Sequence, residues 1–191
     1  MIKVALLGDS IREIGYGTVV PQMLGDDYEV FQPAENCRFS KYTLRGLSDW
    51  KEGLEGCDIV HWNNGLWDTV TNRPDDEPFS TPEEYVTNML RIAKYLKAHH
   101  RVVIFATTTP VRKEFVDNDN ERIAKYNALI VPELEKLGII INDLNALVST
   151  DIDGLLRHDD NIHLNEKGIE LCGKQVAEFI RKACSYVTYG R

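Results

Sequence analysis

Two short segments of this chain carry side chains able to do chemistry together. Gly8-Asp9-Ser10 ends the apolar run Ile2-Lys3-Val4-Ala5-Leu6-Leu7, so a serine hydroxyl stands where a strand turns toward a helix. Asp160-Asn161-Ile162-His163-Leu164-Asn165 precedes the last helical stretch. Read as one helical turn, its spacing puts the Asp160 carboxylate beside Nδ1 of His163 and leaves Nε2 to face elsewhere. On spacing alone Asp159 serves nearly as well. Serine is a weak nucleophile at neutral pH and needs a base. Histidine supplies one near its unperturbed pKa, and a carboxylate fixes its tautomer. Each segment alone has an ordinary explanation, Ser10 as a helix cap and Asp160 as another. Together they make Ser10, His163 and Asp160 the candidate catalytic residues.

Alternating strand and helix patterns position these segments. Tyr28–Phe31, Asp58–Trp62, Arg101–Ala106 and Ile139–Asn142 read as further strands, and Tyr16–Leu24, Ser40–Trp50 and Glu166 to about Cys184 as helices. Thr81-Pro82-Glu83-Glu84 is a capping box that starts a helix reaching His99-His100, two histidines suited to a helix C-terminus. Asn118 with Glu121 predicts a second capping box. Pro132 is expected to kink or divide the helix that follows, which Gly138 ends. Residues 64–80 form a long loop, a common place for function. The pattern predicts a doubly wound parallel sheet in which a residue at the carboxyl end of β1 meets any ligand.

Composition narrows the partners. The chain has 191 residues, 43% hydrophobic and 27% charged, which suits one globular domain over residues 1–191. A net charge of −8 disfavours a phosphate backbone, so no nucleic acid is expected. No segment is long and apolar enough to insert in a membrane. Cys37, Cys57, Cys172 and Cys184 show neither a zinc spacing nor a Cys-x-x-Cys pair, so no metal is expected and the compartment is read as reducing and cytoplasmic. A secreted enzyme whose signal peptide has been removed would begin in the same way.

With Gly8-Asp9-Ser10 after the first strand, an Asn/Gly/Asp segment after the third, and Asp160-x-x-His163-Leu164-Asn165-x-x-Gly168 before the last helix, the sequence resembles the SGNH, or GDSL-like, hydrolases. The blocks span nearly the whole chain. The resemblance implies a flavodoxin-like three-layer α/β/α sandwich around a five-stranded parallel sheet. It also implies a serine hydrolase without a cofactor, in which Ser10 is nucleophile, His163 base and then acid, and Asp160 its orienter. The family acts on esters and thioesters of lipids, sugars and small acyl groups.

Two blocks depart from the family pattern. In Asn63-Asn64-Gly65-Leu66-Trp67-Asp68, Trp67 takes the place of the asparagine that donates to the oxyanion, so Asn63, or else Asn64, is expected in that role. In Asn36-Cys37-Arg38, the backbone N–H of Arg38 is expected beside that of Ser10 in the oxyanion hole, or its side chain binds a substrate anion. Asp9, Asn64 and Trp67 are expected near the substrate. Trp62 and Trp67 flank the asparagines and Trp50 lies upstream, an arrangement that favours a short acyl group on a carbohydrate or other polar alcohol. A lysophospholipase or thioesterase is the alternative within the family. Outside the enzyme reading stand a flavodoxin-like binding module, a hydrolase whose site has degenerated, and a calcium loop built from Asp151, Asp153, Asp159 and Asp160. The acidic spacing fails the EF-hand pattern, and the glycines fail the phosphate-loop patterns.

Overall fold

The computed structural model describes residues 1–71, 75 and 77–188. Short aliphatic runs form β1 (Ile2–Leu7), β2 (Tyr28–Phe31), β3 (Ile59–Asn63), β4 (Val102–Ala106) and β5 (Ile140–Asn142). Between and after them lie α1 (Val20–Leu24), α2 (Ser40–Asp49), α3 (Lys51–Leu54), α4 (Leu66–Thr69), α5 (Pro82–His99), α6 (Asn120–Lys136), α7 (Leu144–Ser149), α8 (Ile152–Leu155) and α9 (Glu166–Thr188). The strands pair in parallel in the order β2-β1-β3-β4-β5. β1 pairs with β2 from Ile2↔Tyr28 to Ala5↔Phe31 and with β3 from Val4↔Ile59 to Leu7↔Trp62. The chain winds outward from β1 in both directions, so the switch point falls at the carboxyl ends of β1 and β3, where Ser10 emerges.

Alternation along each strand divides the core into two layers. Val4, Leu6, Ile59 and Ile104 pack with Val20 of α1, Val148 of α7, and Val176 and Ile180 of α9. Ala5, Leu7, Val60, Trp62 and Phe105 pack on the other face with Leu47 of α2, Met89 and Ile92 of α5, and Ile130 and Leu134 of α6. This is the three-layer α/β/α sandwich with a five-stranded parallel sheet. Among the described residues no helix is long and apolar enough to cross a membrane.

Several elements differ from expectation. Tyr16–Leu24 is not one helix. A π-type turn over Ile11–Gly15 and a 3-10 turn over Tyr16–Thr18 precede α1, whose Pro21 cannot donate to the preceding turn and so sits in the first turn of a new helix. The cap of α6 is Asp119, which accepts from the N–H of Arg122, while Asn118 turns inward to donate to Thr69 Oγ1 at 2.8 Å. Pro132 does not divide α6. It lies on the solvent face, flanked by the buried Ile130 and Leu134 that hold the helix to the sheet. The loop after β3 contains α4, and its residues 72–74 and 76 lie outside the described residues. The capping box of Thr81 and Glu84 forms as expected, and α9 runs to Thr188.

Gly65 turns β3 into α4 at φ 150°, and a Cβ there would meet Thr108 Oγ1 at 1.9 Å. Gly65→Ala is expected to lower the unfolding free energy by about 2 kcal/mol or more, as measured by urea denaturation. An unchanged midpoint would show that this turn can relax.

Candidate active site

Ser10 leads into the π-type turn with φ −61° and ψ −24°, and its side chain makes no capping hydrogen bond. The hydroxyl is therefore not spent on the turn. Beside it Asp9 is buried, with Oδ1 accepting from the N–H of Ile11 at 3.0 Å and from Asn63 Nδ2 at 2.8 Å. Asn63 Oδ1 in turn accepts from the Tyr16 hydroxyl at 2.7 Å. Burial raises the Asp9 carboxyl above its ordinary 3.8, against the hydrogen bonds from Asn63 and Ile11 and the charge of Arg12. Burial also pushes the Tyr16 phenol well above 10, so it remains a donor.

Asp160 and His163 meet in the segment between α8 and α9, through a turn and not a helix. Asp160 Oδ1 accepts from the N–H groups of Ile162 at 3.1 Å and His163 at 3.0 Å, while Oδ2 lies 3.0 Å from His163 Nδ1. The bond from the Ile162 N–H closes an Asx turn, with Asn161 inside it at φ 66°. A carboxylate only accepts, so Nδ1 carries the proton and Nε2 keeps the lone pair. Burial works to raise the Asp160 pKa, but hydrogen bonds from the His163 and Ile162 backbone and the His163 ring hold it below 3.8. Asp159 is turned to Arg157, whose Nε also lies 3.2 Å from Asp160 Oδ2.

Arg112 holds the same turn from the other side. Its nearly buried guanidinium donates from Nε to Asn161 Oδ1 at 3.1 Å and from Nη1 to Asp153 at 2.6 Å, and its backbone N–H donates to the Asn161 carbonyl at 2.9 Å. Nothing near Arg112 in sequence signals this role, because Asn161 is 49 positions away. The acidic residues proposed for a calcium loop are each engaged: Asp151 with Gly154 and Lys167, Asp153 with Arg112, Asp159 with Arg157 and Asp160 with His163.

Other expected site residues are drawn away. Asn63 is buried, and its amide is held between Asp9, which accepts from Nδ2, and Tyr16, which donates to Oδ1. Asn64 is fully buried, with Oδ1 accepting from Trp62 Nε1 at 2.7 Å and Nδ2 donating to the Arg38 carbonyl at 2.8 Å, so it neither donates to an oxyanion nor touches substrate. Asp9 is too deeply buried to contact substrate. The N–H of Arg38 donates to Asn36 Oδ1 at 2.7 Å, and its guanidinium lies over the Tyr42 ring at 4.8 Å. These corrections share one cause: buried polar groups near the strand ends must be paired, and the nearest amides pair them. The family's aspartate position behaves differently. Asp68 is pushed up to about 6 by burial while accepting from Ser40 and Ser80. Burial lowers His61 to about 3, which leaves it a neutral core residue edge-on to Tyr16.

Ser10 and His163 line one cleft of about 490 Å³, together with Ile14, Asn36, Leu66, Trp67, Val70, Phe79, Phe115 and Ile162. Trp67 reaches it as expected, whereas Trp50 and Trp62 belong to the core. The wall is mostly apolar, and Ile14, Trp67 and Phe79 form a partly exposed apolar rim. A neighbouring groove of about 370 Å³ shares Phe79 and presents Lys41, Glu83, Glu84, Thr87 and Asn88.

The architecture is that of the SGNH, or GDSL-like, hydrolase fold. A lipase/acylhydrolase from Enterococcus faecalis superposes with a TM-score of 0.79 at 19% identity, over 95% of this chain and 96% of that one. An acetyl xylan esterase gives 0.76 at 19% identity over 94% and 100%, and a GDSL-like lipase from Bacteroides thetaiotaomicron gives 0.72 at 16% over 95% and 88%. No family model and no curated protein matches the sequence.

Asp160→Asn is expected to lower kcat on a hydrolysed ester about 10⁴-fold, because the amide no longer fixes the required tautomer. Stability supplies a second readout. The folded pKa of Asp160 lies below the free value, so its contribution is present above that value and is lost as pH falls through the folded one. The difference in unfolding free energy between wild type and Asp160→Asn should shrink as pH drops below 3.8. A difference that stays constant across that range would contradict the pairing.

Proposed function

We propose that this chain is a carboxylic ester hydrolase using a Ser10–His163–Asp160 triad. One observation carries the reading: Asp160 Oδ2 stands 3.0 Å from His163 Nδ1, and that histidine shares a cleft wall with a serine whose hydroxyl caps nothing. Ser10 Oγ attacks the ester carbonyl as His163 Nε2 takes its proton. The alcohol then leaves with that proton, and water attacks the acyl-serine with His163 again as base. The Asp160 carboxylate stabilises the imidazolium formed in each half. Neither half calls for a metal or an organic cofactor.

For the substrate, a short acyl group on a carbohydrate or other polar alcohol is supported by the acetyl xylan esterases among the structures of like fold. The polar groove beside Phe79 offers room for such an alcohol. A second reading rests on the cleft itself. Ile14, Leu66, Val70, Phe79, Phe115 and Ile162 beside the nucleophile favour an ester with an apolar chain, as in a lysophospholipase or thioesterase.

Wild-type protein should hydrolyse p-nitrophenyl acetate or butyrate, and Ser10→Ala and His163→Ala should each lose about 10³-fold or more in kcat with circular dichroism unchanged. Full activity in Ser10→Ala would refute the triad. A chain-length series separates the two substrates: an apolar acyl site raises kcat/KM by up to about fourfold per methylene, whereas an acetyl-selective site peaks at the first member.

A further inference from the structure

Attack by Ser10 moves the carbonyl π pair onto oxygen, and that charge needs preorganised donors. The donors expected from the sequence are engaged elsewhere. Asn63 Nδ2 faces Asp9, Asn64 Nδ2 faces the Arg38 carbonyl, and the N–H of Arg38 is taken by Asn36 Oδ1. The N–H of Cys37 is taken by the Gly8 carbonyl at 3.0 Å.

Asn36 is different. It lies on the wall of the catalytic cleft with Ser10 and His163. Its Oδ1 is fixed by the Arg38 N–H at 2.7 Å, which sets the amide plane, and among the described residues its Nδ2 has no partner. The turn that fixes it places Arg38 at φ 51°, a conformation unfavourable for a residue with a Cβ and one that a structure keeps where the turn has a task. The loop is also held against the nucleophile strand. Gly8 exchanges contacts with Cys37 in both directions, and the Arg12 guanidinium donates to the carbonyls of Pro33 at 3.0 Å and Glu35 at 2.7 Å. The backbone on both sides of Asn36 is thus held against the residues that follow β1.

We propose that the Asn36 side-chain amide is an oxyanion donor, acting with the backbone N–H of Ser10, and so fills the place that Trp67 vacates. This rests on the esterase reading. As the Ser10 Oγ–C bond forms and His163 takes the proton, an Nδ2–H bonds the developing alkoxide. When the pair returns to carbon and the alcohol leaves with the His163 proton, the bond weakens again. Asn36 therefore acts on kcat more than on substrate binding.

The test uses three variants on the ester that wild type hydrolyses best. Asn36→Ser is neutral and keeps an oxygen for the Arg38 N–H but does not reach the oxyanion. Asn36→Asp keeps the turn but sets a carboxylate where the amide stood. Trp67→Phe removes the indole N–H and keeps an aromatic wall. Both Asn36 variants should lose about 10² to 10³-fold in kcat with KM changed little. Asn36→Ser near wild-type kcat would overturn the assignment, as would a loss confined to Asn36→Asp, which reports charge alone. A loss in Trp67→Phe without one in Asn36→Ser would move the donor to the indole. Wild-type protein with no hydrolysis and no labelling of Ser10 by a phosphonate would overturn the esterase reading, and the donor with it.

Discussion

A carboxyl group buried next to the nucleophile constrains the whole carboxyl edge of the sheet. Asp9 lies inside the protein at the end of β1, and one of its oxygens must be satisfied from a neighbouring element. Asn63 at the end of β3 does this, and the Tyr16 hydroxyl holds Asn63 in place. The end of β1, the turns that follow it and the end of β3 are thereby fixed to one another at the switch point. The packing leaves no room for a side chain at residue 8, where a Cβ would come within 1.9 Å of Asn63 Oδ1. Gly8-Asp9-Ser10 is thus a structural unit: glycine admits the asparagine, aspartate binds it, and serine is presented to solvent.

His163 arrives from the opposite end of the chain on a segment with little regular structure, so its placement comes from hydrogen bonds and not from helix geometry. Asp160 folds its own turn with one oxygen and orients His163 with the other. Arg112 ties that turn to the segment after β4, and an antiparallel bridge between Leu156 and Leu164 closes its base. A buried guanidinium with these partners is costly to leave unpaired, which makes the clamp hard to open.

The parts legible in the sequence are those set by local chemistry. The β1 run and the Thr81–Glu84 capping box need only neighbouring residues to be read. The Asp160–His163 pairing belongs with them, since both residues lie within one turn. The misreadings concern polar side chains whose partners are chosen by the fold. Asn64 looks like a donor in sequence, but Trp62 and the Arg38 carbonyl claim it inside the core. In Asn118-Asp119-Asn120 any of three residues can cap, and contact with Thr69 decides among them. Asn36 carries no local signal, because its amide is oriented by a turn with Arg38 that the three-dimensional path of the loop sets.

The central claim is that Ser10 is an activated nucleophile, and active-site labelling addresses it most directly. Intact wild-type protein incubated with a p-nitrophenyl alkylphosphonate and analysed by mass spectrometry should gain one phosphonyl group, located at Ser10 by peptide mapping. The rate should fall sharply in His163→Ala. No adduct, or an adduct that survives in Ser10→Ala, would contradict the account.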